Sequence, residues 1–162
     1  QNAPQWNPAS GPAVVLGAGG AARAVVAALI EVGVPEIHLA NRTRPRADAL
    51  RSDFGAKIHV HEWVQGANLM DDAVTVVNTT SLGMTGKPDM TVSLHRLNPH
   101  ALVNDLVYTP LKTQFLIEAE ERGAKVVDGL GMLLHQAAPG FERWFGLRPE
   151  VDEATRQAVL SA

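Results

Sequence analysis

Three groups of residues in this chain have types and spacings that suit the binding of a phosphorylated nucleotide. The first is Gly17-Ala18-Gly19-Gly20-Ala21-Ala22, which comes directly after an apolar run and fits the pattern G-x-G-x-x-G/A. Gly17 permits a tight turn, Gly19 lets the backbone approach a pyrophosphate, and Ala22 holds a helix close to a strand. A helix starting there aims its unpaired N–H groups and positive dipole end at an anion. Glycine turns between a strand and a helix also serve purely structural ends, so this motif gains its meaning from the residues around it. The second group is Asn41-Arg42-Thr43, with Arg44 and Arg46 behind it, about two dozen residues after Gly17. The dinucleotide pattern places its ribose reader at that distance. An acidic residue there hydrogen-bonds the 2′-OH of NAD, whereas an Arg accommodates the 2′-phosphate of NADP. A carboxylate would repel that phosphate, and a guanidinium offers it two parallel charge-assisted hydrogen bonds. NADP is therefore the expected cofactor. Thr43 either adds a hydroxyl donor or caps the next helix.

The third group comprises the loop Asn78-Thr79-Thr80-Ser81-Leu82-Gly83-Met84, the turn at Tyr108, and the turn from Gly129 to Met132. Each stands at the end of an expected strand, where open α/β sheets bind their ligands. Each also has a structural reading: Asn78 and Ser81 as caps, Met132 and Leu133 as packing.

The elements that must hold these groups can be read from periodicity and punctuation. Residues 1–12, rich in Pro, Asn and Gly, read as a linker into a domain at 13–162. Strands are expected at 13–16, 37–40, 57–61, 74–78, 102–107 and 125–127. The third alternates apolar and polar residues and belongs nearer an edge. The fourth, Val74-Thr75-Val76-Val77-Asn78, suits a buried parallel position. Helices are expected at 20–32, 45–54, 113–122 and 132–145, the last kinked or interrupted by Pro139-Gly140. A final amphipathic helix carries Val151, Ala154, Thr155, Ala158 and Val159 on one face. Strands that alternate with helices call for an α/β fold: a doubly wound, mostly parallel Rossmann-like sheet with helices on both faces.

Bulk composition narrows the classes. The 162 residues are 46% hydrophobic and 19% charged, a globular rather than disordered balance. Lys and Arg total 14 against 17 Asp and Glu, a net charge of −3, which argues against a nucleic-acid or anionic-membrane surface. The absence of cysteine excludes disulfides and thiol chemistry and fits a cytoplasmic protein. The longest apolar tract, 13–34, is broken by Arg23, Glu31 and glycines, so no membrane span is expected. His59 and His61 share one strand face, but two ligands without a third point away from a metal site. Trp63, Trp144 and the phenylalanines are expected in the core, and Trp6 against a part of the protein outside this chain.

Taken together, these blocks resemble the C-terminal, NADP-binding domain of the shikimate dehydrogenase family. The resemblance rests on Gly17 to Ala24, Asn41-Arg42-Thr43, Asn78 to Met84, Asp105-Leu106-Val107-Tyr108 and, most specifically, Asp128-Gly129-Leu130-Gly131-Met132-Leu133-Leu134-His135-Gln136-Ala137. It implies that Gly17, Ala18, Gly19, Gly20 and Ala21 cradle the pyrophosphate, while Asn41, Arg42, Thr43 and Arg46 hold the 2′-phosphate. Leu106 and Gly129 would line the nicotinamide half, with Met132 beside the ring, and Thr79 and Ser81 would also bind the cofactor. Tyr108 and Gln136 match family residues that contact the small-molecule substrate. The implied reaction is NADPH-dependent reduction of 3-dehydroshikimate to shikimate, on the route to chorismate and the aromatic amino acids. The family's catalytic Lys and Asp belong to a separate N-terminal substrate domain that no segment here matches. The chain is therefore expected to hold no catalytic residue and to be inactive alone. Two alternatives stand beside this reading. One is a quinate/shikimate dehydrogenase paralogue, whose NAD-preferring members would carry an acidic residue where Arg42 stands. The other is a stand-alone NADP-binding regulatory module without catalysis.

Overall fold

The structure, a computed structural model, describes residues 3–161. Gln1 and Asn2, the start of the expected linker, and Ala162 lie outside the described residues. Six strands form one sheet in the order β3-β2-β1-β4-β5-β6, every pairing parallel. They are β1 (Ala13–Leu16), β2 (Ile37–Asn41), β3 (Ile58–Glu62), β4 (Thr75–Asn78), β5 (Leu102–Asp105) and β6 (Lys125–Val127). The helices are α1 (Gly20–Glu31), α2 (Arg44–Phe54), α3 (Gln114–Glu121), α4 (Leu130–Phe145) and α5 (Glu153–Leu160). β1 and β4 are fully buried, which explains the apolar run of β1 and the Val76-Val77 centre of β4, whose polar ends Thr75 and Asn78 are buried as well.

The alternation of side chains along the strands divides the core. Val14, Leu16, Val76 and Val103 face α3 and the segments around Met70 and Leu94. Ala13, Val15, Ile37 and Leu39 face α1 and α2, which contribute Ala22, Val26, Leu29, Ala47 and Leu50. Strand order reverses between β1 and β4. The glycine turn leaves β1 there, and the 79–84 loop leaves β4 beside it.

Three expectations change. Segment 3–12 is not a free linker: Trp6 joins the α1-side core and its Nε1–H donates to Thr75 Oγ1 at 2.8 Å, so it packs on this sheet. Gly11 lies so close to the sheet that a Cβ on it would meet Val74 Cγ1 at 2.7 Å. The final long helix is not interrupted, and α4 runs through Pro139. Pro139 and His135 are both exposed, so water can satisfy the His135 carbonyl that Pro139 leaves without a donor. Finally, the aromatics divide. Phe115 is buried and Trp63 packs on the core, but Trp144 is 80% exposed and Phe141 and Phe145 are exposed with it. Leu130 and Ala138 are the buried residues of α4, so its C-terminal half runs clear of the sheet.

Candidate nucleotide-binding site

The turn after β1 is built for close approach. Gly17 has φ +107°, and a Cβ there would stand 2.7 Å from Thr79 Oγ1 and 2.8 Å from Thr80 Cγ2. Glycine is thus required both by the left-handed conformation and by the 79–84 loop packed against it. Gly19 and Gly20 differ: a Cβ on either would meet nothing within 4 Å. Their lack of side chains serves no neighbour in the protein and leaves an open cradle. Gly19 is the N-cap of α1 and supplies no side-chain cap, so the first N–H groups of the helix face that cradle. Arg23 is engaged elsewhere, paired with Asp53 at 2.5 Å and lying over the Phe54 ring.

At the end of β2 the three arginines separate. Arg44 is held by Glu62 at 3.0 Å and Asp48 at 3.6 Å. Among the described residues no ion pair involves Arg42 or Arg46, and both are exposed. Asn41 donates from Nδ2 to the Thr43 carbonyl at 2.7 Å, shaping the turn. Thr43 stands at the N-cap of α2, yet its side chain makes no capping bond. The end of β2 and the start of α2 therefore carry two guanidiniums outside the ion pairs of the described residues, a hydroxyl without a capping bond and a helix start without a side-chain cap.

On the other side of the glycine turn lies a cleft of about 320 Å³. It gathers Ala21, Thr79, Ser81, Leu106, Tyr108 and Met132, expected from separate blocks of sequence. Thr80, Met84, Val107 and Thr109 also line it; they lie within or beside the expected blocks but were not singled out. The Thr79 hydroxyl donates to the Leu16 carbonyl at 2.7 Å, tethering the loop to β1. Gly129 shapes the wall rather than lining the cavity. A Cβ there would lie 2.3 Å from the Leu106 carbonyl oxygen and 2.7 Å from that of Val107. Gln136 is exposed and outside the cavity, but four residues beyond Met132 it shares that helix face, one turn along. His135 lines other hollows, including one beside α5.

Beneath the cleft is a buried polar network. Asp105 is fully buried, and its Oδ1 accepts from Asn78 Nδ2 at 2.9 Å and from the Val107 N–H at 3.0 Å. Its Oδ2 accepts from Thr113 Oγ1 at 2.7 Å. Burial holds the carboxyl above its ordinary pKa, and the bonds from Thr113, Val107 and Asn78 oppose that rise. Asp128 is committed differently. It caps the Leu130 N–H at 3.0 Å and receives Arg156 through two contacts, at 3.1 and 2.5 Å, tying α5 to the start of α4.

A third histidine, His38, joins His59 and His61. The pairing Ile37↔Ile58 sets His38 opposite His59, and His38 Nδ1 lies 3.0 Å from His61 Nε2. Only the strand register could have revealed that neighbour. Among the described residues no group of three or more His, Cys, Asp or Glu is arranged to hold a metal ion. Among the same residues no helix is long and apolar enough to cross a membrane.

Across the sheet order, β2, β1, β4 and β5 end side by side, over about 14 Å. The arginine site, the cradle and the cleft form one continuous row along those ends. Such a row could take an extended, doubly anionic ligand with one more phosphate at the β2 end and a flat apolar group at the β5 end.

The family model described as Shikimate / quinate 5-dehydrogenase matches residues 5–106, and that of the Shikimate 5'-dehydrogenase C-terminal domain matches residues 129–160. A shikimate dehydrogenase (NADP(+)) of Cereibacter sphaeroides is 75% identical over 162 residues, covering 100% of this chain and 58% of the relative. One from Paracoccus denitrificans is 65% identical over 161 residues, covering 99% and 57%. The chain thus spans a little over half the length of these relatives. Among solved structures, shikimate 5-dehydrogenase from Thermus thermophilus in complex with NADP(H) and shikimate superposes with a TM-score of 0.74 at 40% identity, covering 88% of this chain and 52% of that one. Quinate dehydrogenase from Corynebacterium glutamicum in complex with NAD gives 0.84 at 31% identity, covering 94% and 55%.

Proposed function

The chain belongs to the shikimate / quinate 5-dehydrogenase family, and from that premise we propose that it is the NADP-binding part of a shikimate dehydrogenase. The observation that carries the cofactor choice is the pair Arg42 and Arg46, free of carboxylates where the 2′-phosphate would lie. The family's NAD-bound quinate enzyme is the second reading, and a basic rather than acidic residue at position 42 weighs against it.

In this proposal Gly17 to Ala21 hold the pyrophosphate against the start of α1, while Arg42, Thr43 and Arg46 hold the adenosine phosphate. Leu106 and Met132, which line the cleft, would hold the nicotinamide half, and that ring would supply hydride chemistry when the cofactor is bound. Tyr108, 44% exposed at the mouth, and Gln136 face the substrate. The substrate is 3-dehydroshikimate, whose ketone is reduced. The proton for the forming alkoxide comes from a Lys and Asp on a separate substrate domain, outside residues 13–162. Within this chain Asp105 and Asp128 are taken up in their own networks, and Lys112 is paired with Glu120.

Calorimetry tests the cofactor assignment. NADPH binds the chain more tightly than NADH, and Arg42→Ala erases most of that preference, a loss of tenfold or more expected for charge-assisted bonds, on the order of 1.5–3 kcal/mol. Equal affinities of the unaltered chain for NADPH and NADH would overturn it.

A further inference from the structure

A buried carboxylate is costly to hold unless its oxygens are fully hydrogen-bonded. Asp105 has no basic partner among the ion pairs of the described residues, so its cost is met by three donors from three different segments. Val107 belongs to the turn after β5 that carries Leu106 and Tyr108. Thr113 is the N-cap of α3, where its Oγ1 also accepts from the Leu116 N–H at 3.3 Å. Asn78 ends β4 and passes the connection onward. Its Oδ1 accepts from the Thr80 N–H at 3.0 Å and from Thr80 Oγ1 at 2.7 Å, and its Nδ2 reaches the Leu82 carbonyl at 3.3 Å. Thr80 Oγ1 in turn accepts from the Leu82 N–H at 3.1 Å. Both loops that line the cleft are therefore referred to one carboxylate. The third wall is tied to the same point, because Gly129 rests on the Leu106 and Val107 carbonyls.

We propose that Asp105 is the positioning residue of the nicotinamide-side cleft, setting the 79–84 loop and the 106–109 turn at the separation the ring requires. The inference rests on the NADP reading and concerns only one half of that ligand. Asp105 itself is outside the cavity lining, so it acts through Asn78 and Val107. Replacement by Ala leaves the Asn78 amide only its longer bond to the Leu82 carbonyl, and the Val107 N–H and the Thr113 hydroxyl lose this acceptor, so the loops lose their common reference. Replacement by Asn keeps one oxygen for Asn78 and Val107 and turns an amide toward the Thr113 oxygen.

The test compares two ligands on the 162-residue chain by calorimetry: NADPH, and 2′,5′-ADP, which carries the adenosine phosphates but no nicotinamide. Asp105→Ala is expected to weaken NADPH about tenfold while 2′,5′-ADP stays within about twofold, and Asp105→Asn to recover most of the loss. Thr113→Val removes one donor from outside the cleft and carries the test if Asp105→Ala does not fold. It is expected to cost NADPH about threefold, with Thr113→Ser restoring it. Unchanged NADPH affinity in the variants, or a parallel loss for both ligands, overturns the inference while leaving the NADP reading in place. An unaltered chain that binds neither ligand overturns that reading and the inference with it.

Discussion

At the residue scale, the glycines of this chain do two different jobs, and the structure separates them. Gly129 lets one backbone rest on another. Gly129→Ala drives a methyl into the Leu106 and Val107 carbonyls, and a loss of about 3 kcal/mol is expected, read as a lower chemical-denaturation midpoint. Gly19 instead keeps a space empty. Its φ of −95° is open to any residue and a Cβ meets no protein atom, so Gly19→Ala should leave the denaturation midpoint almost unchanged. The same change should weaken NADPH about tenfold or more, because the methyl occupies the place of the pyrophosphate. A Gly19→Ala variant with full affinity would show that the cradle is not where the phosphates lie. The arginines make the same point about burial and pairing. Arg42, Arg44 and Arg46 are equivalent in sequence, and the positions of Glu62 and Asp48 occupy Arg44 and leave the other two free.

At the scale of elements, the β2–β3 edge carries a titration. His38 sits below the ordinary histidine pKa of 6.5 mainly through burial, then through His59, with Glu36 and Asp72 pulling the other way. His61 is lowered by burial, then by His38, His59 and Arg44. In the unfolded chain both take a proton near 6.5, whereas the folded edge takes them only at lower pH. Between those values the unfolded state binds more protons, so stability is full above about pH 6.5 and falls as the pH drops below it. The melting temperature should therefore hold steady down to about pH 6.5 and decline from there toward about pH 5.5. His61→Gln should flatten that decline, by removing one of the two lowered imidazoles. Parallel profiles for the two proteins would place the dependence elsewhere.

At the scale of the whole molecule, one end of the chain lacks a covering. Phe141, Trp144, Phe145 and Leu147 are exposed along the end of α4 and just beyond it, as are Val159 and Leu160 on α5. The described residues of α5 bury no side chain, and Arg156 ties the helix to Asp128 instead. On the proposed reading this apolar surface meets the substrate domain, which also brings the proton donor. Accordingly, the 162-residue chain incubated with shikimate and NADP should bind the cofactor yet produce no absorbance of the reduced nicotinamide. Measurable turnover would place the catalytic groups within this chain and remove the need for the separate domain.

The amino-acid order alone carries the placement of the strands and helices, because apolar periodicity and glycine punctuation are local signals. It also determined the nucleotide signature, since a glycine turn and a basic strand end at fixed spacing constrain the ligand without any knowledge of packing. An interrupted α4 and a buried Trp144 are not what forms, because a proline and an aromatic carry no record of whether their side of a helix meets the sheet. Only the tertiary structure decided the strand order that sets four strand ends in a row, the register that brings His38 to His61, and the convergence of Asn78, Val107 and Thr113 on Asp105. Each of these is a contact between residues or segments that local periodicity does not connect, and no single-chain pattern encodes which partner a side chain will meet.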